Sequence, residues 1–220
     1  MFFVVILFVS YCNAEVVTFE QCKKSAEQGN ANGQYCLGGM YYYGKGVEKD
    51  YKKAVEWFTK SAEQGDAGAQ NNLGFMYKNG LGVEKDYKKA VEWFTKSAEQ
   101  GNANAQFNMA SMYFLGTGVE MDDDKAFEWV KKSAEQGDAG AQFSLGTQYL
   151  QGLGVEKDYK KAVEWFAKSA EQGNANGQYG LGGMYYYGKG VARDSDKAYL
   201  LFKLSAEQGN ADAKEALKRY

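Results

Sequence analysis

The 220-residue sequence contains no histidine and no proline. Without histidine, a Ser-His-Asp triad, a Cys-His dyad and every metal site with imidazole ligands are excluded. The Ser-x-x-Lys signature of serine β-lactamases is missing as well. The absence of proline is typical of a chain made of helices and short turns, because proline breaks helix interiors. We therefore expect a helical protein with no catalytic residue, no metal and no cofactor.

The sequence also lacks a large excess of either positive or negative charge. The sequence has 26 basic and 28 acidic residues, a net charge of −2, and no block of basic residues. Nucleic acid is therefore not an expected partner. The one acidic run, residues 122–124, is interpreted as the solvated start of a helix rather than a calcium site.

Long hydrophobic runs are absent except near the N-terminus. Residues 2–9 are all apolar, but a membrane-spanning helix needs about 20 residues. The segment fits the apolar core of a secretory signal peptide, with Cys12 and Ala14 preceding a cut before Glu15. Residues 1–14 thus predict secretion, or delivery to the ER lumen or periplasm, with no stable membrane insertion after cleavage. If they are a gene-model artefact, the prediction is cytoplasmic.

Cysteine is scarce, and only Cys22 and Cys36 follow the predicted cleavage site. They lie symmetrically about Gly29, which favours a disulfide across a turn between two helices. However, Cys36 aligns with repeat positions that look exposed, and a disulfide needs Cα atoms within about 7 Å. The sequence leaves the bridged and the free states open.

The string Glu-Gln-Gly recurs with a strict period. It ends at Gly29 and then at every thirty-sixth residue as far as Gly209. The period divides the chain into a half repeat at 15–29, five repeats and a C-terminal capping helix at 210–220. The repeats are 30–65, 66–101, 102–137, 138–173 and 174–209. Apolar residues spread at this period indicate a linear stack of repeats rather than one globular core.

Each repeat predicts two helices, as 66–101 illustrates. In its first half, four apolar or small residues share one helix face: Ala69, Leu73, Met76 and Tyr77. A small residue recurs at the position of Gly74, which indicates close packing of a neighbouring helix. Gly80 and Gly82 then end the first helix, Asp86 caps the second, and Gly101 closes it.

These residues resemble the Sel1-like repeat, a relative of the tetratricopeptide repeat. The pattern is Ala-x-x-x-Leu-Gly-x-Met-Tyr-x-x-Gly-x-Gly-Val, then Asp-x-x-Lys-Ala-x-x-Trp and Ser-Ala-x-Gln-Gly. Ala110 in place of glycine and Gln148 in place of methionine are mild departures. The resemblance implies an all-α fold, an α-solenoid of five helix-turn-helix repeats in a right-handed superhelix. The first helix of each repeat would line its concave side.

Family resemblance fixes architecture more firmly than role. Relatives act as adaptors in protein assembly, quality control and bacterial signalling, and some cysteine-rich ones have been described as binding penicillin-type ligands. The leading hypothesis is a non-catalytic scaffold that binds a protein or peptide in its concave groove. A β-lactamase-like hydrolase and a structural surface protein without a defined ligand are the alternatives.

The groove-facing positions of the first helices differ between repeats and mix aromatic with amide side chains. Such a set suits an extended peptide, because rings give contact area and amides give hydrogen bonds. Some of the tyrosines could instead pack between repeats. The predicted partner-binding residues are Tyr35, Tyr42, Tyr43, Asn71, Asn72, Phe75, Lys78, Asn79, Phe107, Asn108, Ser111, Phe114, Phe143, Thr147, Gln151, Tyr179, Tyr186 and Tyr187.

Overall fold

A computed structural model describes residues 17–219 of the chain. This part of the chain contains twelve α-helices and no strand. They are α1 (Phe19–Glu27), α2 (Ala31–Tyr43), α3 (Tyr51–Glu63), α4 (Ala67–Asn79), α5 (Tyr87–Glu99), α6 (Ala103–Leu115), α7 (Asp123–Glu135), α8 (Ala139–Gln151), α9 (Tyr159–Glu171), α10 (Ala175–Tyr187), α11 (Ser195–Glu207) and α12 (Ala211–Leu217). The predicted all-α fold of 36-residue helix-turn-helix repeats is confirmed.

The chain forms two compact units that divide between Ala90 and Val91, inside α5. Unit 1 holds α1 to α4 and the start of α5, and unit 2 holds the remainder. We call α2, α4, α6, α8 and α10 the A helices, and α3, α5, α7, α9 and α11 the B helices. The predicted signal peptide, residues 1–14, lies outside the described residues. Within residues 17–219, no helix is long and apolar enough to cross a bilayer.

Short polar side chains start both kinds of helix. Asp50 caps α3 by accepting a hydrogen bond from the backbone N–H of Lys53 at 3.1 Å, as the sequence predicts. Asn30 caps α2 in the same way through the N–H of Gly33 at 2.9 Å, which the sequence analysis did not identify. Each cap satisfies one of the free N–H groups of a first turn. Every A helix in a complete repeat therefore begins at an Asn or Asp.

The second glycine of each turn is held by packing as well as by backbone conformation. Gly82 has φ +71°, a region that L-residues avoid. A Cβ there would collide with the Tyr51 carbonyl and lie 2.8 Å from the backbone nitrogen of Lys52. The turn therefore rests on the first residues of the preceding B helix, and only glycine allows this approach.

Small residues inside the A helices let the B helices pack closely, as predicted. A Cβ placed on Gly38 would lie 2.7 Å from the Phe58 ring, and one on Gly146 would lie 2.7 Å from the Phe166 ring. Both rings are almost completely buried. The glycine in the A helix thus makes room for the phenylalanine of the following B helix.

Buried serine and glutamine side chains link successive helices. Ser61 on α3 donates to the Ala31 carbonyl of α2 at 2.9 Å, and equivalent bonds recur in later repeats. Gln34 on α2 donates to the Ala26 carbonyl of α1 at 3.5 Å and accepts from Gln64 Nε2 at 2.7 Å. One glutamine therefore joins its own repeat to the preceding one. These contacts account for the serine and the glutamine of the recurring string Ser-Ala-Glu-Gln-Gly.

Cys22 and Cys36 form a disulfide between α1 and α2, with Cα atoms 5.7 Å apart. Cys22 is buried at the position that phenylalanine holds in most B helices, and Cys36 is half-buried on an A helix. The bridge therefore joins the half repeat covalently to the first complete repeat.

Candidate functional site

The predicted binding residues of unit 2 lie on one face of α6, α8 and α10. We call the surface that these positions form on the A helices within each unit the A-helix face of that unit. Phe107, Ser111 and Phe114 follow one another at helical spacing, so they share one side of α6. Phe114 is 45% exposed, and the other two are half-buried. Asn108 is half-buried on the same helix.

A pocket of about 190 Å³ opens between α6 and α8 on this face. Most of its lining is apolar, including three phenylalanine rings. Thr147 Oγ1 donates to the Phe143 carbonyl at 3.0 Å, so this hydroxyl already has a hydrogen-bond partner within α8. Six of the predicted binding residues line the pocket: Phe107, Ser111, Phe114, Phe143, Thr147 and Gln151.

The pocket exists because a B-helix residue is small here. Val130 on α7 stands where most repeats have phenylalanine, and it lies at the base of the pocket. In the next repeat, Phe166 fills the equivalent space. Hypothetical Cβ atoms on Gly146 of α8 and Gly180 of α10 would lie 2.7 Å and 2.9 Å from its ring. Valine lacks that ring, so the space between α6 and α8 stays open.

A large side chain stands one helical turn before Val130 on α7 instead. Phe127 stands where most repeats have valine, and its ring meets the Tyr149 ring edge-on with centroids 5.6 Å apart. Ala110 on α6, a glycine in the other repeats, belongs to the same buried cluster as Val130. A larger residue at 110 and a smaller one at 130 are compatible with each other, so the exchange preserves the packing of this repeat.

Gln148 is the one polar group buried in this pocket wall. It is 6% exposed, and its Oε1 has no hydrogen-bond partner among the described residues. The other four repeats have buried methionines at this position: Met40, Met76, Met112 and Met184. A buried acceptor without a partner costs about 1–3 kcal/mol. The repeat therefore carries an unfavourable group that its neighbours avoid.

Sequence reasoning missed Ala110, Val130 and Gln148 as pocket residues. Ala110 and Gln148 stood out as departures from the repeat pattern but were treated as mild. The signal that identifies all three is a departure from the repeat consensus at a core position. Groove-facing variation alone could not show that the core beneath it had changed.

The last repeat holds a second pocket, of about 170 Å³. It contains the predicted residues Tyr179, Tyr186 and Tyr187 of α10, and α12 contributes Asp212 and Arg219. Burial raises the pKa of the Tyr179 hydroxyl, and the Asp212 carboxylate raises it further. The tyrosine therefore remains a neutral hydrogen-bond donor at neutral pH.

In unit 1, α2 supplies three of the predicted tyrosines. Tyr42 contacts Tyr43 and Tyr51 with ring centroids 4.8 Å and 5.4 Å apart. Tyr35 packs against the Phe58 ring and forms a side-chain hydrogen bond with Asn72. Burial raises the pKa of the Tyr35, Tyr42 and Tyr43 hydroxyls, so they too stay neutral. Tyr35 therefore combines structural packing with a position on the A-helix face.

The remaining predicted residues of unit 1 lie on α4. Phe75 and Asn79 are exposed, whereas Asn71, Asn72 and Lys78 are half-buried. The side-chain amide of Asn79 donates to the Phe75 carbonyl at 2.8 Å. Binding by any residue of the A-helix face stays a prediction.

The site has the chemistry of a binding surface. Aromatic rings, hydroxyls and amides surround its pockets, and no group of three or more potential metal ligands occurs between residues 17 and 219. The Asp residues with lowered pKa values, Asp50, Asp122 and Asp194, are helix caps stabilised by backbone N–H groups. None of them lines either pocket.

Comparison with known proteins identifies the repeat. A model of the Sel1 repeat family matches five consecutive segments, residues 31–66, 67–102, 103–138, 139–174 and 175–210. The resemblance seen in the sequence is thus confirmed. We find no significant match among curated protein sequences.

Several solved structures are similar. A protective antigen of uropathogenic Escherichia coli strains with an SLR fold is 43% identical, with a TM-score of 0.84, over 90% of this chain and 42% of that one. A Sel1 repeat protein from Oxalobacter formigenes is 36% identical, with a TM-score of 0.84, over 90% of this chain and 80% of that protein's chain. An immunity protein from Pseudomonas aeruginosa is 25% identical, with a TM-score of 0.57, over 83% and 66%. The chain therefore spans less than half of the antigen's length.

Proposed function

The chain belongs to the Sel1 repeat family, and from this premise we propose that it is a scaffold that binds a peptide or protein on its A-helix face. Sel1 repeat proteins generally serve as protein-interaction scaffolds. The observation that carries the proposal is the pocket between α6 and α8. Six residues chosen from the sequence as groove-facing line that single pocket.

The composition of the face supports a polypeptide ligand. Exposed or half-buried rings such as Phe114 and Tyr187 offer contact area at little entropic cost. The neighbouring hydroxyls and amides, among them Ser111 and Gln151, can bond to a peptide backbone. Charged groups are few on this face, so we expect affinity to depend weakly on salt.

The proposed role is non-catalytic. The Sel1 repeat fold is generally a protein-binding scaffold without catalytic activity. No histidine is available to activate a hydroxyl nucleophile, and no Ser-x-x-Lys motif replaces it. We expect purified protein to leave nitrocefin intact, and turnover at a rate proportional to protein concentration would contradict this part of the proposal.

We also propose that the protein works outside the reducing cytosol, as a secreted, lumenal or periplasmic protein. The apolar segment at residues 2–9 and the disulfide between Cys22 and Cys36 support this location. Fractionation of cells that produce the chain, followed by N-terminal sequencing, tests it. A new N-terminus at Glu15 is the expected result.

A random peptide library selected on immobilised protein tests the binding proposal. Affinities of selected peptides are then measured by fluorescence anisotropy for two matched variants. Phe114→Ala removes a ring that is 45% exposed on the A-helix face, and Tyr199→Ala removes a ring that is 41% exposed on the B helix α11. We expect about a tenfold loss for Phe114→Ala and no change for Tyr199→Ala. Equal effects, or no selected peptide at all, would refute the proposal.

A further inference from the structure

The outer side of α11 differs from that of the other B helices. Four exposed residues, spaced three, four and three apart, lie along one side of every B helix, and we call them the outer stripe. In α3, α5, α7 and α9 the outer stripe reads lysine, glutamate, lysine and glutamate. In α11 leucines replace the two middle charges, so the stripe consists of Lys197, Leu200, Leu204 and Glu207. This helix therefore carries an apolar pair on a side that is charged elsewhere.

The two leucines of the stripe lie in water and would stay there in a longer stack of repeats. Leu200 is 57% exposed and Leu204 is 49% exposed, whereas their neighbour Leu201 packs against the buried cluster of unit 2. In α9, which a complete repeat follows, the equivalent Glu164 and Lys168 are exposed as well. A further repeat after α11 would therefore leave both leucines uncovered. Contiguous exposed apolar residues mark interaction surfaces, whereas single ones are ordinary.

We propose that a second copy of the chain covers this pair, with the α11 helices of the two copies packed antiparallel about a twofold axis. The outer stripe is symmetric about position 202, so an axis there places Leu200 opposite Leu204 of the partner subunit. The same rotation places Leu204 opposite Leu200 of the partner subunit, so all four leucines are covered. The surface belongs to a B helix, so this inference goes beyond peptide binding on the A-helix face.

The charged ends of the stripe favour this arrangement. Lys197 and Glu207 are exposed and carry opposite charges at opposite ends. In the antiparallel pair, Lys197 faces Glu207 of the partner subunit at both ends, whereas a parallel pair would set lysine against lysine and glutamate against glutamate. Lys197 pairs with Asp194 at 3.5 Å, yet its side chain remains 62% exposed, so it can contact a second carboxylate. Charge complementarity therefore favours a second copy in this one register.

The interface is small, so the dimer should be weak and reversible. It uses one side of a 13-residue helix from each copy, whereas stable interfaces bury about 800 Å² per partner. Sedimentation velocity on the purified protein measures the association directly. We expect the weight-average mass to rise from one chain towards two as the concentration increases from about 10 µM to 1 mM. A parent protein that stays monomeric over this range would overturn the proposal.

A variant built from the residues of the other B helices tests the surface. Leu200→Glu combined with Leu204→Lys restores the common outer stripe, so this protein should stay monomeric throughout the range. Both residues already stand at these positions in four B helices, so we expect the variant to fold, which far-UV circular dichroism verifies. Leu115→Gln is the matched control, because it removes a leucine that is 64% exposed on α6 and should dimerise like the parent. A dimer that survives the double substitution would refute the inference.

Two charge reversals test the antiparallel register. Lys197→Glu alone or Glu207→Lys alone puts like charges at both ends of the interface, so each variant should dimerise about five- to tenfold more weakly than the parent. In a mixed dimer of the two variants, every contact between the stripe ends again joins opposite charges. An equimolar mixture should therefore dimerise about as well as the parent. A mixture that associates no better than either variant alone would rule out the antiparallel pair.

Discussion

Replacing Gln148 by methionine should stabilise the protein, although the position lies in the core. Removing the unpaired Oε1 relieves a cost of about 1–3 kcal/mol, and methionine supplies a flexible apolar side chain in its place. The same residue type is buried without conflict at Met112 of the preceding repeat, where it is 1% exposed. We therefore expect the free energy of unfolding to rise by about 1–3 kcal/mol.

Urea denaturation followed by far-UV circular dichroism measures this change through the midpoint, provided that the slope with urea stays constant. The reverse substitution, Met112→Gln, is the matched control. It buries an amide at a position where methionine is 1% exposed, so it should destabilise the protein by about 1–3 kcal/mol. A neutral or destabilising Gln148→Met would show that the acceptor is satisfied in the folded protein.

Three further perturbations have defined outcomes. Gly80→Ala should cost about 1–2 kcal/mol of stability through its left-handed backbone, whereas Gly82→Ala should cost at least about 3 kcal/mol because its Cβ also meets the Tyr51 backbone. Equal costs, measured by urea denaturation, would contradict this packing role. Replacing Cys22 and Cys36 by serine opens a loop with a sequence separation of 14 and should lower the free energy of unfolding by about 3 kcal/mol. Adding reductant to the parent chain should lower its melting temperature by the same amount as the double substitution does. The backbone N–H of Lys125 lowers the pKa of Asp122 in the folded protein below its ordinary value of 3.8. The ionised Asp122 therefore stabilises the fold at any pH above 3.8, and this stabilisation is lost as the pH falls through the lower pKa of the folded state. Asp122→Asn keeps the cap without a charge, so the melting temperature of this variant should fall less steeply as the pH is lowered into the acid range. A melting temperature that falls with pH as steeply as in the parent chain would refute this.

The helical elements could be predicted because their signals are local. Each helix is bounded by residues whose preference depends on a few neighbouring backbone groups, such as Asp50 at a start and Gly82 at a turn. The same local pattern occurs in all five repeats, so each copy supports the prediction made from the others. The caps of the A helices, such as Asn30, carry an equally local signal, but the sequence analysis did not predict them.

The candidate site was predictable in position but not in content. Helical spacing placed Phe107, Phe114 and Phe143 on one face, and the structure brings them around one pocket. Tyr35 was selected by the same rule, yet it packs on Phe58 and bonds to Asn72, so part of its surface is structural. Spacing gives the direction of a side chain, but its neighbours come from another helix.

The sequence by itself determined the repeat, its helices and the family, because periodicity and capping act within a few residues. Tertiary structure alone decided that Cys22 meets Cys36 and that the exchange of bulk between Phe127 and Val130 leaves a cavity. It alone left the buried Oε1 of Gln148 without a hydrogen-bond partner among the described residues. Packing depends on which side chains meet across helices, and hydrogen bonding depends on which partners are within reach. Both are properties of the assembled repeats rather than of any one segment.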